Sequence, residues 1–407
     1  MAEESATAAR RVRSRRSHGS GDHRRLKVKR DTISSLPDVI LQHILTFIPT
    51  QYAIRTSLLS KRWRNVWCDT PSLSFDSPTL KDAWIKQTLT AYTAPKMMHF
   101  HLRSDKKHDV PHIDKWLEFV MSRHVENMVL SLWHDDYSFP DFFYVNSSLK
   151  QLTLKYCDMS PKCSVSWTSL KNLSLVRCSV SDESMAKILS GCPALESLTL
   201  KKCDELGYLD LSRSLRLRTL VVETSSWMTG PKDIDAPHIH YLFLRCTQHP
   251  CTLVDVSALT EANINLCENE LIYRDGSFQP KVMNMLEKLQ HVEKLTFGGS
   301  LLQVLSVAQL RGVPFPMFKA KRLDHCLALQ GFNKVQLCRT SKDAGHWNVK
   351  SKHLPFFVEL VLKNTETLDK MFLVLDHRYR MFRKIIRTLS RNDKVSIAFS
   401  EETSGES

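Results

Sequence analysis

The sequence LKQLTLKYC, which begins at Leu149, returns as LKNLSLVRC from Leu170 and as LESLTLKKC from Leu195. Shorter copies follow as LRTLVVE from Leu217 and IHYLFLRC from Ile239, so that successive copies begin 21, 25, 22 and 22 residues apart. The last two apolar residues of each LxxLxL alternate with more polar ones, which predicts a short strand with one buried face. One such unit cannot bury that face alone, whereas stacked neighbours can. The sequence therefore predicts a solenoid of stacked strands.

Weaker copies extend the array on both sides. They are centred on Met97, Phe100 and Leu102, on Val125, Met128 and Leu130, on Leu259, Ala262 and Ile264, on Val292, Leu295 and Phe297, and on Phe332, Val335 and Leu337. Amphipathic helices are expected around Trp84, Trp116 and Met285, and another is expected to be capped by Ser181 and ended by Gly191. The period is that of leucine-rich repeats. Residues 77–340 are therefore expected to form an irregular α/β leucine-rich-repeat solenoid.

Cysteine recurs at one place in the repeats. Cys157, Cys178 and Cys203 each lie three residues after the second strand leucine, and Cys246 lies two residues after it. A recurring place of this kind favours a small buried residue at the corner after the strand over a reactive thiol.

A second stretch, DTISSLPDVILQHILTFIPTQYAIRTSLLSKRWRNVWCDTPSLSFD, runs from Asp31 to Asp76 and carries more apolar residues than one helical stripe needs. A first helix is expected with Ser34 or Ser35 as its cap, Pro37 in its first turn and Pro49 as its end. Two more helices are expected at 52–59 and 61–67. Three short helices in about 40 residues cannot cover that much apolar surface by themselves. The surplus requires another protein or another part of the chain.

The order of the motifs LPDVIL, IPTQYAIRTSLLSKRWRNVW and PSLSFD in this stretch resembles the F-box of plant F-box proteins. In that family the F-box docks on the Skp-type adaptor of a cullin-RING ubiquitin ligase. The resemblance implies docking or supporting roles at Leu36, Pro37, Ile40, Leu41, Ile44, Leu45, Leu58, Leu59, Trp63 and Trp67. Which of these residues touch the adaptor and which only support the three helices stays open at this point.

Later stretches resemble a plant F-box subfamily whose F-box is followed by leucine-rich repeats. CPALESLTLKKC, from Cys192, and IDAPHIHYLFLRC, from Ile234, are typical of its arrays. HLPFFVELVLKNTETLDKMFLVL, from His353, resembles its C-terminal FBD region more loosely and implies a strand followed by a helix. A helix at 382–389 and a strand at 395–399 would follow. Residues 341–399 are thus expected to form an FBD-like strand-helix cap, and residues 400–407 a polar tail.

The positive charge is concentrated at the N-terminus. The chain has a formal net charge of +14, and ten Lys or Arg residues against three acids lie in residues 1–30, which lack large apolar residues and are expected to be disordered. Two clusters would act as a nuclear import signal: Arg10, Arg11, Arg13, Arg15 and Arg16, then Arg24, Arg25, Lys27, Lys29 and Arg30. There are two alternatives. One is an organelle transit peptide, which Glu3 and Glu4 disfavour, and the other is a solvated tail without a receptor. The nucleus is the expected location, with the cytoplasm as a second one.

Motifs for catalysis or metal binding do not stand out. The sequence contains no glycine-rich phosphate loop, no nucleophile elbow and no C-x-x-C pair among its 11 cysteines. We expect no cofactor, no metal site, no membrane span and no enzymatic activity of the chain itself. The cysteine usage, without a leading signal peptide, favours a reducing intracellular compartment.

The leading functional hypothesis is a substrate-recognition subunit of an SCF-type cullin-RING E3 ubiquitin ligase, in which the F-box binds the adaptor and the repeat face binds an unknown target. Residues between the inward leucines face outward, and the row becomes more apolar at Thr219, Val221, Tyr241 and Phe243, the expected target site. One alternative is an interaction scaffold that binds the adaptor without delivering a target for degradation. Another is a basic nuclear nucleic-acid-binding protein. This alternative is disfavoured because the basic excess is concentrated in the tail and the array shows no basic stripe interleaved with aromatic residues. A small-molecule receptor has no convergent polar residues to support it.

Overall fold

The leucine pattern and the N-terminal apolar stretch form two separate hydrophobic cores in a computed structural model of the chain. The structure describes residues 33, 35–76, 82–104, 110–133, 137–225, 230–246, 250–266, 278–299, 316–326, 368–375 and 396–401, with single positions between 301 and 314 and at 359 and 363. The two basic clusters of the expected import signal, the weak repeat at 332–337 and the expected helix at 382–389 lie outside these residues.

The N-terminal module is less helical than the sequence predicts. Helices α1 (Asp38–Leu45) and α2 (Thr50–Arg55) are followed by single 3-10 turns at Thr56–Leu58 and Val66–Asp69. The third expected helix is wrong, because residues 61–65 form turns. Pro37 and Pro49 each stand immediately before a helix as its N-cap, without a side-chain hydrogen bond, so the place of Pro37 inside the first turn is also wrong. Of the two serines expected to cap the first helix, Ser35 does not hold the N-cap position and Ser34 lies outside the described residues.

Parallel strands form one long sheet across the described part of the chain. Its order is β1-β2-β3-β4-β5-β6-β8-β10-β12-β13-β14-β15-β16, which is chain order apart from the three strands that form another sheet. The strands are β1 Ser72–Phe75, β2 His99–Ser104, β3 Asn127–Leu132, β4 Gln151–Lys155, β5 Asn172–Val176, β6 Ser197–Lys201, β8 Thr219–Glu223, β10 Tyr241–Cys246, β12 Glu261–Leu266, β13 Lys294–Gly299, β14 Arg322–Cys326, β15 Lys370–Leu375 and β16 Ser396–Glu401. The solenoid predicted from the repeats is confirmed.

Strand register follows the leucines. Leu152, Leu173, Leu198 and Leu220 are direct partners on successive strands, and each is at most 1% exposed. The residues between them remain partly exposed in every strong repeat. This alternation places one side chain of every two on the open face of the sheet.

Helices connect some of the strands, as the apolar spacing predicts. They are α3 (Asp82–Ala91), α4 (Val110–Ser122), α5 (Asp182–Ser190) and α6 (Phe278–Lys288). Ser181 caps α5 by accepting a hydrogen bond from the Ser184 amide. Gly191 ends α5. A Cβ at this position would lie 2.3 Å from the Val165 carbonyl oxygen, so glycine is required there by close packing and not by a left-handed backbone.

A second, three-stranded parallel sheet was not predicted. Strands β7 (Tyr208–Asp210), β9 (Asp233–Asp235) and β11 (Thr252–Leu253) pair in the order β11-β9-β7. Leu209, Ile234 and Leu253 are fully buried beneath them. These three side chains belong to the same core as the leucines of the long sheet.

Left-handed turns end three successive strands of the long sheet. Tyr156, Arg177 and Lys202 have φ angles of 58°, 53° and 54°, and each is followed by a buried cysteine. The Cys203 thiol donates to the Leu175 carbonyl of the preceding repeat over 3.5 Å, and burial raises its pKa to about 12. A thiol with such a pKa is protonated and unreactive at neutral pH, which supports the structural role expected for Cys203.

The C-terminal expectations are partly wrong. Residues 370–375, expected as a helix after a strand, form strand β15, while the earlier positions Glu359 and Lys363 have helical conformation. The strand expected at 395–399 is present as β16, which continues to Glu401 and so includes the first two residues of the expected polar tail. Strand β14 takes the next place in the sheet without having been predicted.

Candidate functional site

A small core holds the N-terminal module together. Leu41, Leu45, Ala53, Trp63, Val66 and Trp67 are buried against one another, and Leu36, Ile54 and Cys68 pack on them half-buried. Arg62 joins the start of α1 to the later turns, because its guanidinium contacts the Asp38 carboxylate at 2.7 Å and donates to the Leu36 carbonyl. The module therefore has a hydrophobic core of its own.

Large apolar side chains remain exposed on this module. Leu58 is 86% exposed and Leu59 is 68% exposed, on the turn after α2. Along and just after α1, Ile40, Ile44 and Phe47 are 45%, 43% and 76% exposed. A concentration of this kind in so small a unit marks a surface that another protein covers.

The structure separates the ten predicted adaptor positions into three groups: four buried, one half-buried and five exposed. Leu41, Leu45, Trp63 and Trp67 are core residues, so they can only support the docking surface. Leu36 is half-buried against that core, and the remaining five are exposed: Pro37, Ile40, Ile44, Leu58 and Leu59.

Sequence reasoning did not assign five exposed apolar residues of the module to adaptor binding: Ile33, Val39, Phe47, Ile48 and Tyr52. For Val39 and Phe47, the signal that could have found them was their place off the apolar stripe of the first predicted helix, where a core side chain would not lie.

The module is connected to the repeat array by buried hydrogen bonds. The Tyr92 hydroxyl donates to the Thr70 carbonyl over 2.7 Å, and burial raises the pKa of that hydroxyl well above its usual value. The amides of Thr93 and Ala94 both donate to the Cys68 carbonyl. The segment just after α3 is thus hydrogen-bonded to the end of the module, immediately before the first strand of the array.

The expected target residues lie side by side on the open face. Thr219 pairs in register with Tyr241, and Val221 with Phe243, on the adjacent strands β8 and β10. All four side chains are half-buried, so they remain accessible to a partner. Burial raises the pKa of Tyr241, and beside it Glu261 and Lys294 form an ion pair of 2.6 Å.

An aromatic and basic cluster at the edge of the same sheet was missed. Trp133, at the end of β3, stacks on Tyr156, at the end of β4, with ring centroids 3.6 Å apart. The Arg177 guanidinium lies over the Tyr156 ring at 5.4 Å. These residues come from three different repeats, and the recurring place just before the buried cysteine is the only sequence signal that joins two of them.

Metal-ligand clusters and membrane-spanning helices are absent from the described part of the chain. In it, no three His, Cys, Asp or Glu side chains come together as a metal site. Among the described helices, none combines the length and the apolar character that crossing a bilayer needs. What these residues do provide is two accessible surfaces, the exposed apolar side chains of the N-terminal module and the half-buried row on the sheet.

Both the N-terminal module and most of the repeat array match known protein families. Residues 33–75 match the family model described as "F-box domain", and residues 92–295 match the one described as "At1g61320/AtMIF1, LRR domain". One F-box/LRR-repeat protein of Arabidopsis thaliana is 48% identical over 98% of this chain and 98% of its own length. A second from that plant is 41% identical over 92% of each chain. A third, named as an F-box protein, is 51% identical over 71% of this chain and 95% of its own.

Proposed function

This chain belongs to the plant F-box/leucine-rich-repeat proteins, which generally serve as substrate adaptors of SCF ligases, and we propose that it is the substrate-recognition subunit of an SCF-type cullin-RING E3 ubiquitin ligase. Its F-box module would bind a Skp-type adaptor, and through it the cullin. Its sheet would hold a target protein. Members of this family are typically non-catalytic, so bond formation occurs on another subunit.

One observation carries the proposal. The module keeps a complete small core while Leu58 and Leu59 remain 86% and 68% exposed. A self-sufficient fold has no reason of its own to leave such side chains in water, because burying each would contribute about 2 kcal/mol. A partner that covers them gains that stabilisation, and buried apolar anchors of this kind dominate protein interfaces.

The contribution of this chain to ubiquitin transfer is proximity. The module would dock on the ligase while the sheet holds the target. The target is then close to the enzyme that transfers ubiquitin, at a high effective concentration. The buried hydrogen bonds between module and array support this, since they limit how far the target surface can move relative to the adaptor.

The direct test is co-purification of a Skp-type adaptor with the full chain. We expect Leu58→Asp with Leu59→Asp to abolish recovery of the adaptor. A matched control replaces two exposed apolar residues of the array, Leu215→Asp with Val254→Asp, which are 66% and 42% exposed and lie far from the module in sequence. Equal adaptor recovery from both double variants would contradict the proposal.

Ubiquitination separates the proposal from its main alternative. In cells that contain the ligase, proteins captured by the sheet should accumulate when the module is disabled and should carry ubiquitin when it is intact. An interaction scaffold would bind the adaptor and leave the abundance of its captured proteins unchanged.

The proposal also assigns a location. The two basic clusters at residues 10–30 match the composition of a two-part nuclear import signal, so the chain would act on targets in the nucleus as well as in the cytoplasm.

A further inference from the structure

One arginine links the two segments that flank the exposed apolar surface of the N-terminal module. The Arg62 guanidinium donates two hydrogen bonds to Oδ1 of Asp38, from Nε at 3.1 Å and from Nη2 at 2.7 Å. Nη2 also donates to the Leu36 carbonyl oxygen. These contacts, which we call the Arg62 tether, join positions that are 24 and 26 residues apart in the chain.

The tether ends close to both groups of exposed apolar side chains. Asp38 is the first residue of α1 and precedes the exposed Ile40 by two residues. Arg62 follows the exposed Leu59 by three residues. The tether therefore fixes the distance between the start of α1 and the turn that carries the most exposed leucines of the module.

Local structure holds these two segments only weakly. Pro37 is the N-cap of α1, and no side-chain hydrogen bond caps the helix there. Residues 61–65 form turns, and the hydrogen bond from the Arg64 amide to the Lys61 carbonyl is long, at 3.4 Å. Trp63 anchors the inner side of these turns in the small core. A contact on the outer side, such as the Arg62 tether, is needed to fix their orientation relative to α1.

Both charged side chains of the tether remain accessible to water, at 37% for Arg62 and 61% for Asp38. Exposed ion pairs contribute little to the stability of a fold. A tether of this kind is therefore better suited to arranging a surface than to holding a core together. Arranging a surface in advance strengthens binding, because less conformational freedom is lost on association.

We propose that Arg62 is a positioning residue for adaptor binding. It aligns α1 with the turn that carries Leu58 and Leu59, so that the adaptor meets one preformed apolar surface. The arginine acts through Leu36 and Asp38 rather than through a contact of its own with the adaptor. Without the tether, only a fraction of the chains present the aligned surface, and the apparent affinity falls by that fraction. This inference rests on the proposed function, because the adaptor is the partner for which the surface is aligned.

Binding kinetics of the purified full chain with a purified Skp-type adaptor test the inference. Arg62→Met keeps the length of the side chain and removes its donors. The matched control is Arg64→Met, at a second exposed arginine of the same turns. We expect Arg62→Met to weaken binding about fivefold, mainly through slower association, and Arg64→Met to leave it unchanged. Equal weakening by the two variants would overturn the inference.

Asp38→Ala distinguishes positioning from a direct contact between Arg62 and the adaptor. If Arg62 acts through the tether, Asp38→Ala also weakens binding, and adding Arg62→Met to it causes much less than the fivefold loss expected for Arg62→Met alone. A direct contact would instead make the two effects additive and would raise the dissociation rate. Additive effects therefore count against positioning.

Val66→Ala tests whether the tether acts only through general stability. Val66 is buried in the small core, so its truncation destabilises the module without touching the tether. Well below the unfolding transition of either variant, we expect Val66→Ala to bind the adaptor like the wild-type chain. Weakening equal to that of Arg62→Met would mean that Arg62 only stabilises the module, contrary to the inference.

Hydrogen exchange reports on the alignment directly. The amides of Ile40 and Leu41 both donate to the Pro37 carbonyl at the start of α1. Their exchange should be faster in free Arg62→Met than in the free wild-type chain, and it should return to the wild-type rate in the adaptor complex. Unchanged exchange in free Arg62→Met would show that the tether does not hold the start of α1.

A conservative variant completes the test. Arg62→Lys keeps the charge but not the planar fork of donors, so it should recover part of the lost binding. If Arg62→Met does not fold, Arg62→Lys is compared with Arg64→Lys instead, and equal affinities of that pair would overturn the inference. A wild-type chain that binds no Skp-type adaptor would contradict the proposed function and this inference with it. Adaptor binding that is indifferent to Arg62 would contradict this inference alone.

Discussion

The Ser74 backbone amide donates a hydrogen bond to the Thr50 hydroxyl oxygen over 2.7 Å. Thr50 is the first residue of α2, and Ser74 lies in β1, the edge strand of the long sheet. Thr50 is 4% exposed, so the contact is shielded from water. This bond therefore couples the orientation of the adaptor-binding module to that of the array.

Thr50→Val should loosen this coupling. The valine is of similar size but leaves the Ser74 amide without its acceptor, at a cost of about 1–3 kcal/mol. Hydrogen exchange should accelerate at Ser74 while adaptor binding persists. Thr90→Val is the matched control, because its hydroxyl only bonds back to the Lys86 carbonyl within an exposed part of α3. Unchanged exchange at Ser74 in Thr50→Val would show that another contact fixes the orientation.

Leu41→Ala should unfold the N-terminal module and spare the array. Leu41 is fully buried in the small core, and truncating such a leucine costs about 2–5 kcal/mol. Because the array has its own separate core, its unfolding transition should move little. Calorimetry of the full chain would show one transition lost or lowered and one retained. A single transition that shifts as a whole would mean that the two cores unfold together.

Tyr241→Ala with Phe243→Ala should reduce target capture and leave adaptor recovery intact. The two side chains lie half-buried on the open face of β10, next to Thr219 and Val221 of β8. Capture is measured by quantitative mass spectrometry of co-purified proteins. Asn263→Ala with Thr296→Ala, in the same row on β12 and β13, is the control. If capture survives the first pair but is lost on truncation after Val349, the target site lies in the C-terminal region.

Glu126→Gln should lower stability at neutral pH and have no effect in acid. Glu126 is 8% exposed and contacts Lys96 at 2.5 Å and Lys150 at 2.8 Å. Hydrogen bonds from Lys150 and Lys96 lower the pKa of its carboxyl below the ordinary value of 4.5.

A folded-state pKa below the unfolded one means stabilisation that is present above the unfolded pKa and is lost as pH falls through the folded pKa. The wild-type chain should therefore exceed the variant by about 1 kcal/mol at pH 7. That difference should disappear as the pH falls below the ordinary value of 4.5. Urea unfolding at several pH values would measure it, and a constant difference would contradict the ion-pair explanation.

Deleting residues 1–30 should change the location of the protein and not its stability. The tail holds ten basic residues and almost no large apolar ones, so it can contribute little to a core. A fluorescent fusion should lose nuclear enrichment, whereas the melting temperature should stay the same. Replacing the ten basic residues with glutamine in the full chain should reproduce the loss. Retained nuclear enrichment in both proteins would leave the tail without an import role.

The strands were predictable because LxxLxL requires two inward side chains of fixed spacing, and Leu152 and Leu173 lie as that pattern demands. Strands β7, β9 and β11 were not, because two or three residues are too few for a period of two to be recognised. Residues 370–375 were misjudged since KMFLVL is an apolar run without either period, a case in which helix and buried strand look alike.

The candidate site residues, like the strands, could be predicted from the sequence only in part. Helical spacing found Ile40 and Ile44, which are exposed, together with Leu41 and Leu45, which are buried, because an apolar residue looks the same in a core and in an interface. Only the packing of Trp63 and Trp67 decides which side of the module is inside. The Trp133–Tyr156 stack depends on two repeats lying side by side, and no pattern within one repeat contains it.

Under the proposed function, the left-handed turns at Tyr156, Arg177 and Lys202 would separate folding from target recognition. A glycine at each would fit that backbone with less strain, by about 1 kcal/mol. The chain forgoes that stability at three turns. In return, each turn carries a side chain other than hydrogen, while the buried cysteine that follows packs into the core of the repeat. Exchanging these side chains alters the edge of the sheet without disturbing its register. A duplicated copy of this chain could therefore acquire a new target through a few changes at its turns, while its core and its adaptor surface stay as they are.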